Sequence, residues 1–282
     1  MKVFIVGTGL IGGSFALDIK AADPEAVIYG IDKTEEHLQK AKSLGLIDEI
    51  SSMQEIAEAD LVLVAIPVDA NIKVVSEILD NVKDECLVID SGSTKSKICE
   101  ALADHGKRRN FLAAHPIAGT EFSGPEAAIS NLYRNKTMII CEVEKTAFKL
   151  QERALELFRN LGMRIRYMDA KSHDKHIAYV SHLSHISSFM LGKTVLEKEK
   201  NERDIFDMAG SGFASTVRLA KSSPEMWTPI FKDNKENVLE TLTEYINNLN
   251  RFKKLMEENN FQEVFCEMER TNYIKTVLNG IN

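Results

Sequence analysis

The sequence is short of several things, and each shortage removes a class of function. No apolar stretch approaches the roughly 18 residues of a membrane span, so a helical membrane protein is not expected. Positive charge is in deficit. The formal net charge is -7 and no dense Lys/Arg stripe occurs, which argues against nucleic acid and anionic membranes as partners. The mildly basic 105-HGKRRN-110 reads as a solvated loop. Cysteine is sparse: Cys86, Cys99, Cys141 and Cys266 are scattered, with no CxxC pair. Cys86 and Cys141 lie in apolar runs, where cysteine behaves as a small hydrophobe. Reduced thiols and a cytoplasmic location are expected. The Met-Lys start runs directly into a strand and glycines, with no apolar region ending in a cleavage site, so no signal peptide is expected. No internal repeat or low-complexity tract is apparent.

What is present is alternation. Val3–Val6, Val27–Ile31, Leu61–Ile66, Cys86–Ile89, Phe111–Ala114 and Thr137–Cys141 are short, mostly β-branched apolar runs. They read as strands buried on both faces of a parallel sheet. Helix-like stretches separate them: Leu10–Ala21, Thr34–Ser43, Asn71–Asn81, Lys95–His105 and Thr146–Leu161. The pattern predicts an α/β class with an N-terminal doubly wound, Rossmann-type parallel sheet over residues 1–168. After Met168 only helical patterns remain, predicting an all-α domain over residues 169–282. The stretch Asn234–Glu258 carries Val238, Leu242, Tyr245, Leu249, Phe252 and Met256 at steps of three and four. A helix of that length spans about 36 Å, so it is expected to pack on a partner chain or fold back on its own domain.

The chain opens with 3-VFIVGTGLIGGSFA-16. Gly7-x-Gly9-x-x-Gly12 follows a predicted strand and opens a predicted helix. Such glycines serve a tight turn, a close approach to a pyrophosphate and helix–strand packing, and the helix N-terminus offers its free N–H groups to phosphate. The second strand ends in Asp32, 20 residues after Gly12, where a carboxylate can accept from a ribose 2′-hydroxyl and repel a 2′-phosphate. NAD is therefore favoured over NADP. The cofactor contacts are expected from Gly7, Thr8, Gly9, Leu10, Ile11, Gly12, Asp32, Ile66 and Pro67.

Substrate should meet the nicotinamide outside the carboxyl ends of the strands. There Phe111–Ala114 runs into His115-Pro116, predicted as a rigid loop. His115 can take a hydroxyl proton while the carbon beneath gives up hydride, or it can cap a loop. Ser93, in 91-SGST-94, can orient that imidazole or cap the helix beginning near Lys95. In 172-SHDKHIAYVSHLSHISSF-189, ideal helical spacing puts His173 and His176 on one face and His182 and His185 nearly opposite, so the four cannot share a metal. No metal is expected. His182 and His185 read as a polar patch facing a substrate, or as histidines packed between helices. Arg218, in 209-AGSGFASTVRLAKSSPEMW-227, can bind a carboxylate bidentately or lie solvated on a surface helix.

Together, 7-GTGLIGGS-14, 115-HPIAGTE-121, 181-SHLSH-185 and 212-GFASTVRLA-220 with Trp227 resemble the prephenate dehydrogenase family over roughly residues 1–275. The His-Pro-x-Ala-Gly-Thr/Ser-Glu segment is the most specific element and the glycine motif the least. The resemblance implies oxidation of prephenate (or arogenate) with NAD or NADP and release of carbon dioxide, giving 4-hydroxyphenylpyruvate from prephenate. It implies that His115 hydrogen-bonds the ring hydroxyl and Ser93 positions it. It implies that Thr120, His182 and His185 line the substrate pocket, Arg218 anchors a carboxylate, and Trp227 lies near the pocket mouth. It also implies a helical second domain that forms a homodimer. Ser184 stands where the family often has proline between the two histidines. A β-hydroxyacid dehydrogenase or imine reductase of the same architecture would place a lysine on the interdomain helix, where this chain has His182 and His185. A non-catalytic NAD-binding module would need neither His115 nor Arg218.

Overall fold

The computed structural model describes residues 1–200 and 204–279. Eight strands form one sheet: β1 (Lys2–Val6), β2 (Val27–Ile31), β3 (Glu49–Ile50), β4 (Leu61–Val64), β5 (Leu87–Asp90), β6 (Phe111–Ile117), β7 (Thr137–Cys141) and β8 (Arg164–Met168). Their order across the sheet is β3-β2-β1-β4-β5-β6-β7-β8. Helices α1 (Leu10–Ala22), α2 (Glu35–Ser43), α3 (Val68–Asn81), α4 (Ser96–Ala101) and α5 (Phe148–Asn160) alternate with them. The strands are apolar throughout because both faces are covered. Val3, Ile5 and Leu63 belong to one buried layer, and Phe4, Val62 and Val64 to the other. The predicted doubly wound α/β fold is what forms, followed after Met168 by helices alone among the described residues.

Four details differ from the sequence reading. The sheet is not wholly parallel, since β7 runs antiparallel to β6. Strands β3 and β8 escape the apolar pattern. The first has two residues, and the second is a sheet-edge strand, RIRYM, whose exposed positions are Arg164, Arg166 and Tyr167. Helix α4 is shorter than predicted, because beyond Ala101 the bonds tighten to i+3 at Ala103 and His105. Finally, β6 does not end at Ala114. It continues through His115 and Pro116 to Ile117, paired with β7. β5 has already ended at Asp90, opposite Ala113, so a proline without an N–H is tolerated there. His115 therefore sits on a strand with one remaining neighbour, not in a loop.

The helices that follow are α6 (Ala170–Ile177), α7 (Leu183–Glu199), α8 (Ser211–Thr216), α9 (Pro224–Asp233), α10 (Lys235–Glu257), α11 (Phe261–Thr271) and α12 (Ile274–Leu278). A π-helical turn, Ala178–His182, joins α6 to α7. The chain forms two compact units, Met1–Lys235 and Glu236–Asn282. In the second, Arg251 of α10 pairs with Glu263 and Glu267 of α11, tying the two helices, and Arg270 pairs with the same acids within α11. Leu249, Phe252 and Met256 of α10, and Phe265 and Met268 of α11, remain exposed. Among the described residues no helix is long and apolar enough to cross a membrane.

Candidate active site

The turn after β1 requires its glycines for different reasons. Gly7 has φ +95°, and a Cβ there would lie 2.3 Å from the Ala65 carbonyl oxygen. A Cβ on Gly12 would lie 2.0 Å from the Gly7 carbonyl oxygen. Gly9 is unlike both. Its φ is -75°, and a Cβ would meet nothing nearer than the Gly124 nitrogen at 3.9 Å. The fold itself does not need glycine there, so the open space fits a group brought close to the backbone. Gly9 is also the N-cap of α1, with no side chain capping it and no acid in the first turn, which leaves free N–H groups for an anion. These residues fit a dinucleotide pyrophosphate. Half-exposed Ile66 and exposed Pro67 follow β4 beside this turn, and an added Gly7 Cβ would stand 2.9 Å from Ile66 Cγ2.

Asp32 at the end of β2 holds the turn in place. Its carboxylate accepts from Thr8 N at 2.9 Å, Thr8 Oγ1 at 3.2 Å and Thr34 N at 3.0 Å. A negative charge thus stands directly against the glycine loop.

The next strand ends carry a buried polar cluster. Asp90 and Lys95 form an ion pair with both side chains wholly buried. Asp90 also accepts from Asn71 Nδ2 at 2.6 Å and Gly92 N at 2.7 Å. Helix α4 is capped from a distance. Asp174 of α6 accepts from Lys95 N and Ser96 N, each at 2.8 Å. Ser93, expected as a local cap, does not serve: half-buried, it forms no hydrogen bond among the described residues, and the neighbouring Thr94 Oγ1 donates to Asp233.

Asp174 also contacts His173 Nδ1 at 2.8 Å, and His173 Nε2 lies 2.9 Å from His115 Nδ1. Burial raises the Asp174 carboxyl, but the hydrogen bonds from His173, Ser96 and Lys95 outweigh it and hold it below the usual carboxylate range. Burial, with His173, Lys95 and His182 nearby, pushes the His115 imidazolium well below its usual range.

The π-helical turn overturns the ideal-helix placing of His182 relative to His173. A wider turn shifts the helical phase. His182, expected opposite His173, is linked to the same cluster through Asn234, whose Nδ2 donates to the Asp174 carbonyl at 2.7 Å and to His182 Nδ1 at 3.2 Å. His176, expected to share the face of His173, is exposed while His173 is buried. With Nδ1 accepting, neutral His182 carries its proton on Nε2, a buried atom with no partner among the described residues. Burial lowers His182 to about 4. His185 donates Nδ1–H to the Ser181 carbonyl at 2.9 Å and stacks on Trp227 with ring centroids 3.5 Å apart. Trp227 is itself buried and packs with Val68 and Ile230.

Arg218 is half-exposed and donates to Glu121 Oε2 at 2.8 Å, which joins it to the segment that follows His115. Thr120 is exposed, its hydroxyl accepting from Phe122 N at 3.2 Å. The structure therefore gathers His115, His182, His185 and Trp227 with His173, Asp174 and Asn234, and reaches Arg218 through Glu121. Asp90, Lys95, Asp174, Asn234 and Glu121 join the site with no role expected from the sequence. One signal was available: Asp90 ends an otherwise apolar buried strand, 86-CLVID-90.

Comparison with known proteins decides the family. The model described as "Prephenate dehydrogenase, nucleotide-binding domain" matches residues 15–167, and "Prephenate dehydrogenase, dimerization domain" matches 169–270. The chain belongs to the prephenate dehydrogenase family. The prephenate dehydrogenase of Lactococcus lactis is 34% identical over 91% of this chain and 70% of its own length. A cyclohexadienyl dehydrogenase of Zymomonas mobilis is 30% identical over 89% and 87%. The crystal structure of the A. aeolicus prephenate dehydrogenase, in complex with hydroxyphenyl propionate and NAD+, superposes with a TM-score of 0.90 at 32% identity, covering 99% of this chain and 98% of that one. A 2-dehydropantoate 2-reductase from Geobacter metallireducens, 13% identical with a TM-score of 0.55, shares the fold alone.

Three histidines held neutral by burial set the acid response of this member of the prephenate dehydrogenase family. The unfolded chain takes up protons below about pH 6.5, while folded His182 does so only near 4. Stability is therefore complete above pH 6.5 and falls as pH drops toward 4, His115 and His185 adding in the same direction. His182 alone should cost about 2 kcal/mol between pH 7.5 and 5, measured by urea unfolding at the two values. His182→Gln should shrink that difference.

Proposed function

We propose that the chain oxidises prephenate to 4-hydroxyphenylpyruvate and carbon dioxide, passing hydride to NAD. The observation that carries this reading, beside the family, is the placing of a buried neutral imidazole on the carboxyl end of β6, on the same sheet edge as the glycine turn. The bound nicotinamide would supply a hydride acceptor. His115 accepts the proton of the ring hydroxyl as the carbon bearing it loses hydride. The ring carboxylate then leaves, its bonding pair completes the aromatic ring, and the proton held by His115 returns to the phenolate oxygen, so no net proton is released.

Ser93 lies with a free hydroxyl on the neighbouring strand end and is assigned to orient the ring hydroxyl. His182 offers its unpartnered Nε2–H. His185 and Thr120 are assigned to the substrate pocket, Trp227 to its wall, and Arg218 to a substrate carboxylate, for which Glu121 holds it in reach. Gly7, Thr8, Gly9, Leu10, Ile11, Gly12, Ile66 and Pro67 are assigned to the cofactor. Asp32, with its charge against the glycine loop, favours NAD over a 2′-phosphorylated cofactor. Residues 1–168 would form the dinucleotide-binding domain and 169–282 the substrate-binding and dimerisation domain, in a homodimeric cytoplasmic enzyme.

Incubation with prephenate and NAD should produce reduced nicotinamide, followed by absorbance, with arogenate and NADP run beside it; no turnover of prephenate sinks the reading. His115→Asn should lower kcat by about 10²–10⁴ while leaving NAD binding intact. Arg218→Ala should chiefly raise the KM for prephenate. Gly9→Ala should fold with an unchanged Tm yet bind NAD about tenfold more weakly by calorimetry, a loss of ~1.4 kcal/mol. Gly12→Ala should instead lose about 1–3 kcal/mol of stability or more, from overpacking against Gly7. Light scattering should give twice the 31.6 kDa chain mass, and Leu249→Glu in the exposed apolar face of α10 should reduce it to one.

A further inference from the structure

Two side chains lie in line behind the proposed base. Asp174 Oδ1 is 2.8 Å from His173 Nδ1, and His173 Nε2 is 2.9 Å from His115 Nδ1. The proton positions along this line follow from its fixed end. Asp174 is an ionised carboxylate whose oxygens accept from Lys95 N and Ser96 N, so it also accepts from His173, and His173 Nδ1 carries hydrogen. With one hydrogen on its ring, His173 then has a bare Nε2. His115 can meet it only by donating Nδ1–H, which leaves His115 Nε2 as a free lone pair.

We infer that His173 and Asp174 are positioning residues for His115. They fix it in the Nδ1–H tautomer, aim its bare Nε2 at the substrate hydroxyl, and carry the charge that proton uptake creates. The inference rests on the proposed role of His115 and deepens it. As Nε2 of His115 takes the hydroxyl proton, its Nδ1 proton passes to His173 Nε2. The positive charge then lies on His173, 2.8 Å from the Asp174 carboxylate, rather than on His115. When the phenolate forms, both protons move back. The other groups facing His115 cannot replace this path. Lys95 has its charge matched by Asp90, and His182 Nδ1 is held by Asn234. Burial holds His115 neutral, so a neighbour able to share the proton is what lets such an imidazole act as a base.

The test uses the full-length protein labelled with 15N-histidine. In the wild type, the His115 resonances, assigned by their loss in His115→Asn, should show hydrogen on Nδ1 and a bare Nε2 at neutral pH. His173→Leu should mix the two tautomers and lower kcat by about 10²-fold or more. His173→Gln keeps an acceptor for the Nδ1–H but cannot take up a proton. It should preserve the His115 tautomer and still lower kcat about tenfold, with KM for prephenate and NAD within about threefold of wild type. Should the leucine variant fail to fold, the glutamine variant and the wild-type spectrum decide. A wild-type His115 protonated on Nε2 overturns the inference, as does a His173→Gln enzyme with kcat within twofold of wild type. If His115→Asn is itself fully active, the role of His115 falls. If His115→Asn is inactive and His173→Gln is not, only the relay falls.

Discussion

A single buried carboxylate sets the register of three separate pieces of chain. Asp174 takes two backbone N–H groups at the start of α4 and the imidazole of His173, which in turn meets His115 on β6. A carboxylate removed from water is tolerable only when its oxygens are fully engaged, and here three donors converge on it. The same donors fix where it stands. The segment after β5, the segment after β8 and the end of β6 thus reach the site in one relative arrangement, although Lys95 and Asp174 are 79 residues apart in sequence. The Asp90–Lys95 ion pair repeats the device one strand end away, using Asn71 and the Gly92 amide to complete its hydrogen bonds.

Around that anchor, strand length and helix pitch aim the side chains. Because β5 stops at Asp90 while β6 runs on to Ile117, His115 lies beyond the last two-sided pairing of the sheet, buried but free on one flank. Because the helical segment after Met168 widens to a π turn at Ala178–His182, His182 comes to the same cluster as His173 instead of facing away. Burial keeps His115, His182 and His185 neutral, and neutral imidazoles can each present one donor and one acceptor. The hydrogen-bond partner on one ring nitrogen then dictates what the other offers: a lone pair at His115 and an N–H at His182.

The glycine turn obeys a different logic. Gly7 and Gly12 are required by the fold, which has no room for a Cβ, whereas Gly9 leaves space that the protein does not fill. That contrast separates glycines the fold requires from one whose bareness leaves open space beside the backbone.

The sequence by itself determined the layered α/β class, the glycine turn and the acid ending β2, and its resemblance to one family singled out His115, His182, His185, Arg218 and Trp227 as candidates. Those features are local: apolar runs, turn residues and spacings a few positions long. Only the tertiary structure decided the antiparallel β7, the continuation of β6 through Pro116, the capping of α4 by Asp174 and the convergence of His173 on His115. Strand direction depends on which neighbour pairs, and a cap supplied from 79 residues away leaves no local mark. A histidine's face can be computed from 100° per residue only while the helix stays ideal, and the π turn is settled by what the helix packs against, which no spacing within it records.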